Sequence, residues 1–162
     1  MKIRRGFVSN SSSSSFVVAL PKVPETVDEL KNVLFGNEER YENPYDFSDR
    51  PVWYSTKKVA QTVFDDLMET GQATHSQLLD EIMYLRDGIL YHDYENANGQ
   101  ADWDRYNVEL RKVSLDMLED LMDANEGCVL YVVDYSDDSV YGSALEHGKL
   151  FESIPHIRIS KH

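Results

Sequence analysis

An apolar run of strand length, CVLYVV at residues 128–133, lies towards the carboxy end of the chain, and a second, FVVAL at residues 16–20, lies close to the amino end. CVLYVV carries no charge, so as a strand it needs cover on both faces and reads as the centre of a sheet. Residues 2–8 supply another strand pattern, and they pair with 16–20 across a polar turn as a hairpin. Ile157-Arg158-Ile159-Ser160 alternates strictly and closes the chain as a half-buried strand. Between these ends the clear periodicities are helical. The order strand, strand, helices, strand, strand predicts an α+β domain: a small sheet formed by strands from both chain ends, packed on a layer of three to four helices.

The helical stretches carry their own boundary signals. Thr26-Val27-Asp28-Glu29 is a capping box, and the helix it opens runs through Leu30, Val33 and Leu34 to end near Gly36. Ser55 reads as the N-cap of a second helix, with Val59, Ala60, Val63, Phe64, Leu67 and Met68 on one face and Gly71 as its stop. Thr74 and Gln77 form another capping box ahead of Leu78, Leu79, Ile82, Met83 and Leu85, and the short connection predicts an antiparallel helix pair. The last pattern runs from about Asp102 to Ala124 through Leu110, Val113, Met117, Leu118, Leu121 and Met122, with Ser114 as a candidate break. Residues 37–54 hold two prolines and no helical period, and read as a long aromatic-rich surface segment. Residues 91–101 read as a loop, Asp137-Asp138 as a turn, and 142–151 as one or two helical turns. No internal repeat is present. At 162 residues, the chain reads as a single α+β domain spanning 1–162.

Composition narrows the function classes. With 41% hydrophobic residues, ten tyrosines, six phenylalanines and two tryptophans, the chain can bury a core of its own. Its one cysteine, Cys128, excludes an intramolecular disulfide and a multi-thiolate zinc site, which suits a reducing cytoplasm; its place in an apolar run makes it a buried, inert thiol. No run approaches the roughly 18 apolar residues of a membrane span. Lys2, Arg4 and Arg5 imitate the start of a secretory signal, but no apolar core follows. A cytoplasmic location is expected.

Charge is distributed unevenly. Lys2, Arg4, Arg5 and Lys22 at one end and Arg158 and Lys161 at the other have no acid among them, giving the ends +6. All 29 Asp and Glu fall between residues 23 and 155, against ten Lys and Arg, so that stretch is −19 and the whole chain −13. If both ends share one sheet, the molecule is electrically two-sided. Such a chain repels duplex nucleic acid and anionic lipid, so neither is an expected partner; it suits a basic host protein, or imitates the charge of DNA. Glu119, Asp120 and Asp123 on the last helix are the candidate partner-binding residues. The competing reading of these carboxylates is ordinary solubilising surface.

A different class of function follows from the serines. Ser11 to Ser15 read as a turn between strands, and the alternation of the last strand puts His156, Arg158, Ser160 and His162 on one cationic face. Arg4, Ser11, Ser12, Ser13, His156 and Arg158 then form a candidate site for a nucleotide or other small phosphate-bearing ligand, with hydroxyls and backbone N–H groups as donors. The GxxxxGKS phosphate loop is absent, and the competing reading of the serines is a mobile solvated turn. Phosphorylation of the turn is a third reading, each phosphate adding about −2 beside Arg4 and Arg5. His147, His156 and His162 cluster near the end of the chain, but His156 and His162 stand roughly 20 Å apart along a straight strand, so no metal is expected. No GxSxG is present, only the fragment Gly142-Ser143-Ala144, and adjacent acids such as Asp65-Asp66 point about 100° apart on a helix. His92-Asp93 with Glu95 lies in a loop and forms no motif. No catalytic residue is assigned, and no cofactor is expected.

The stretch from Gly6 to Phe16, GFVSNSSSSSF, resembles an amino-terminal motif that recurs in small uncharacterised proteins of bacteriophages and bacteria. That resemblance implies a phage or bacterial cytoplasmic setting, the host cytoplasm if phage-encoded, and a required local structure or processing signal at the serines. It carries over no catalytic residue.

Overall fold

The computed structural model describes residues 13–43, 51–85, 91–136, 141–147 and 149–161. Arg4, Ser11, Ser12, the strand expected at 2–8, the Asp137-Asp138 turn, His162 and the side chain of His92 lie outside the described residues.

The sheet is built from both ends of the chain, as expected. Strand β1 (Ser13–Leu20) is its centre, with β4 (Val129–Ser136) and β5 (His156–Ser160) antiparallel on either side in the order β4-β1-β5. The register pairs Ser15 with Asp134 on one side and with Ile159 on the other. Two expectations change here. CVLYVV is a flanking strand rather than the central one, and FVVAL takes the centre because it pairs on both edges and is covered on both faces. The serines from Ser13 onward belong to β1 itself: with partners on both sides, the ladder hydrogen bonds extend through Ser14 and Ser15, which are fully buried.

Helices cover both faces of this sheet. Phe16, Val18 and Leu20 point to one side, where they pack with Tyr131, Val133 and Tyr135 of β4 and with Leu30, Leu34, Val59, Val63 and Leu67. Those residues come from α1 (Val27–Phe35) and α2 (Thr56–Thr70), joined on this face by Ala144 and Leu145 of the short α5 (Gly142–His147). Val17 and Ile159 point to the other side, against Leu78, Leu79 and Ile82 of α3 (His75–Met83) and Leu118 of α4 (Trp103–Ala124). Burying a side chain such as Leu118 is worth about 1.5–3 kcal/mol, so alternation along one strand stabilises two helical layers at once.

Local signals explain most helix ends. Thr74 and Gln77 close a full capping box at α3, while Thr26 accepts from the Glu29 N–H at 3.2 Å and the Glu29 carboxylate reaches the N–H of Glu25, one residue earlier than the box requires. Ser55 does not cap α2 with its side chain; the Thr56 hydroxyl donates instead to the Glu38 carbonyl at 2.7 Å. That contact arises because the segment read as a long aromatic-rich surface stretch contributes two short strands, β2 (Arg40–Glu42) and β3 (Trp53–Ser55), paired antiparallel with Tyr41 opposite Tyr54. Ser114 is buried within an unbroken α4. Among the described residues, no helix is long and apolar enough to cross a membrane.

Candidate functional site

The described serines divide between the two faces of the sheet, and each finds a different charged partner. Ser14 faces the α1/α2/α5 side, where its Oγ accepts from Nε and Nη2 of Arg158 at 3.4 Å each. Ser13 and Ser15 belong to the opposite face by strand alternation. The proposed grouping of Ser13 with Arg158 and His156 is therefore not formed. Ser14 meets Arg158, while Ser13 contributes its carbonyl, which accepts from the Lys161 N–H at 2.9 Å.

Arg158 belongs to a chain of polar contacts that ends in the core. Its Nη2 lies 3.0 Å from Nδ1 of His147, and because a guanidinium only donates, Nδ1 is the acceptor and the ring proton sits on Nε2. Nε2 lies 3.4 Å from the carboxylate of Glu146, whose side chain is 0% exposed. Helix α5 delivers both groups. It is fixed in place by Tyr41, whose hydroxyl donates to the Ala144 carbonyl at 3.1 Å, and burial pushes that phenol up to about 12. His156 is exposed two residues from Arg158, with its Nδ1 3.0 Å from the Ile154 carbonyl. The cationic face of β5 is thus partly neutralised by Glu146, and the hydroxyl of Ser14 is already engaged.

The other face shows the same neutralisation. Lys161 continues the Ile157/Ile159 side of β5, and its Nζ lies 2.9 Å from Asp134 and 3.2 Å from Glu81. Burial lowers the Lys161 pKa, but hydrogen bonding to Asp134 and Glu81 more than offsets this and leaves it raised. Its Nζ also sits 5.2 Å from the Tyr84 ring centroid. Asp134 in turn accepts from the buried Ser15 hydroxyl at 2.5 Å. Of the cations expected on the basic side, Lys161 is paired with acids from the middle of the chain and Arg158 meets Ser14 and His147, while Lys2, Arg4 and Arg5 lie outside the described residues. The sequence signal that was missed is Lys161, a charge at the end of an apolar alternation, where it must find partners.

The acidic helix face has no such compensation. Glu119, Asp120 and Asp123 are all exposed on α4, with Asp116 one turn earlier and Glu126 just beyond. None of them makes an ion pair among the described residues. From residue 113 to residue 148 the chain contains no Lys or Arg. Among the described residues, no group of three or more His, Cys, Asp or Glu converges as a metal site would require.

A groove of about 610 Å³ opens between the end of α3 and the first half of α4, lined by Asp80, Met83, Tyr84, Trp103, Tyr106 and Asn107. Trp103 is 56% exposed and Tyr84 59% exposed, and Trp103 meets Tyr106 edge-on with centroids 5.8 Å apart. Sequence reading missed this groove because its two walls come from segments 20 residues apart that carry no motif. The only hint was Trp103, which lies seven residues before Leu110 and so continues the apolar stripe of α4 to the start of the helix, where it stays 56% exposed.

No protein-family description, curated protein or solved structure matches this chain.

Proposed function

We propose that this protein is an acidic binding module, acting in a cytoplasmic setting, whose α4 outer face engages a basic protein of the kind that otherwise holds DNA. The observation that carries this reading is the uncompensated row Asp116, Glu119, Asp120 and Asp123 on one rigid helix of 22 residues. Some acids elsewhere on the surface are paired, with Lys22, Lys31, Lys57 and Lys161. Carboxylates held close together without counter-charges repel one another, and a cationic partner relieves that repulsion while gaining long-range steering. A solubilising surface alone accounts for the charge but predicts no saturable partner.

The test is association with a cationic protein domain at two ionic strengths. The affinity should fall at least tenfold between about 50 and 200 mM salt, as screening shortens. The triple variant Glu119→Gln, Asp120→Asn, Asp123→Asn should abolish it without lowering the melting temperature. Salt-independent affinity would reject the proposal. The reading of a phosphate-bearing ligand at Arg158 and His156 has weaker support, since Ser14 and Ser15 are buried and engaged; a rise in melting temperature with inorganic phosphate that Arg158→Ala abolishes would restore it.

A further inference from the structure

We infer that the outer face of α4 is a contact for a second copy of this chain, the two α4 helices lying antiparallel across a twofold axis. This occupant goes beyond the basic partner but takes the same acid row, so the two exclude one another. Arg105, Lys112, Asp116, Glu119 and Asp123 follow at steps of seven, four, three and four residues and therefore share one face of the helix. Their charges are segregated along it. The first half of α4 carries Arg105, Arg111 and Lys112 beside Asp104 and Glu109, whereas the second carries Asp116, Glu119, Asp120 and Asp123 and no cation. Arg111 and Lys112 are exposed and, like those four acids, make no ion pair among the described residues. Arg105 lies over the Tyr94 ring, a contact that supplies no counter-charge. The helix macrodipole opposes this order, since the acids stand towards its negative pole and no basic residue stands in the last turn.

An antiparallel second copy relieves both strains. It lays the cationic half of each helix along the acidic half of the other, sets the two dipoles in opposite directions, and forms every pair twice by symmetry. With the axis level with Leu115, Lys112 comes between Asp116 and Glu119 of the second copy, Arg105 comes beside its Asp123, and Val108 comes level with its Met122. Val108 is 69% exposed and Met122 43% exposed, so the contact also covers apolar side chains that otherwise stand in water. A uniformly basic surface laid along the whole helix would instead set cations against Arg111 and Lys112. A helix of 22 residues presents a face of about 33 by 10 Å, well below the roughly 800 Å² per partner of a stable interface, so the association is of the transient class.

The experiment is sedimentation equilibrium of the full chain from about 10 μM to 1 mM, at about 150 mM salt, where screening within roughly 8 Å removes most of the repulsion between remote acids. The mean mass is expected to rise from that of one chain towards that of two. Lys112→Glu and Glu119→Lys should each weaken association at least about tenfold, and the variant carrying both should return it to within about threefold of wild type, because the exchanged charges meet again across the axis. Melting temperatures at the lowest concentration should be unchanged, which separates loss of the contact from loss of the fold. Net charge alone would move the two single variants in opposite directions, since Glu119→Lys removes negative charge and Lys112→Glu adds it. That outcome, or a double variant as weak as the singles, would overturn the inference. A chain that stays monomeric throughout would overturn it too, and a cationic domain that still binds would leave the reading of a basic partner standing. Dimerisation without binding of a cationic domain would do the reverse.

Discussion

The Ser15 hydroxyl donates to Asp134 at 2.5 Å across the β1–β4 register pair, from a side chain with no exposure to a carboxylate that is 58% exposed. A serine at the centre of a sheet needs such a partner, because a buried hydroxyl without one costs free energy. Ser15→Ala removes a hydrogen bond to a charged group and should cost roughly 1 to 3 kcal/mol, read by urea denaturation. A neutral result would mean that this end of β1 is solvated after all.

Lys161 joins that pair to a third element. It links Asp134 on β4 with Glu81 on α3, and Glu81 is mostly buried. Lys161→Met keeps the aliphatic stem and leaves Glu81 without its cation, so a loss of about 1 to 3 kcal/mol is expected. The raised Lys161 pKa adds a pH signature: its contribution is complete below the unfolded value near 10.5 and is lost as pH rises through the higher folded value. The gap between wild type and Lys161→Met should therefore narrow above that pH, in thermal melts followed by circular dichroism. A gap that stays constant would show that the side chain acts through packing alone.

How far these arrangements could be read from sequence depends on the kind of interaction. Helix spans were legible because Val59, Val63 and Leu67 or Leu78, Leu79 and Ile82 repeat with the helical period, and that period is imposed by one buried face. The sharing of one sheet by both chain ends was legible too, since the unpaired edges of FVVAL and CVLYVV have few other partners. Strand order was not. CVLYVV and FVVAL are equally apolar, and which of them sits centrally depends on β5 docking against β1, a long-range choice with no local signal. The serines misled for a related reason: small polar residues favour turns in isolation, yet Ser14 and Ser15 are held in a strand by Arg158 and Asp134, more than a hundred residues away.

Asp66 and Tyr135 meet beneath α2 and yield a prediction of opposite sign. The Tyr135 hydroxyl is buried without a hydrogen bond of good geometry among the described residues, but lies close enough to Asp66 for the two to couple. Burial holds the Asp66 carboxyl above its usual range, against the lowering effect of that hydroxyl. The unfolded chain sheds this proton first, so stability falls as pH rises from about 3.8 through the folded pKa, and a penalty remains at neutral pH. Asp66→Asn removes the charge and should raise the melting temperature at pH 7, with the advantage vanishing below about pH 4. A lower melting temperature at pH 7 would show that the carboxylate is net stabilising.

Tyr41 ties the small β2–β3 pair to the helix that carries Glu146 and His147. Its hydroxyl donates to the Ala144 carbonyl, and Ala144, Leu145 and Glu146 are all fully buried, so α5 has few other means of adjusting. Tyr41→Phe keeps the ring and loses the hydrogen bond, for an expected cost of about 1 kcal/mol at neutral pH. The phenol ionises near 10 in the unfolded chain and at about 12 in the folded one, so wild type loses stability as pH rises between those values, and the variant lacks that loss. The two stability curves should converge above pH 10. Convergence would assign the neutral phenol as the form that holds α5, and parallel curves would show that Tyr41 anchors the helix through ring packing against Phe35 rather than through its hydroxyl.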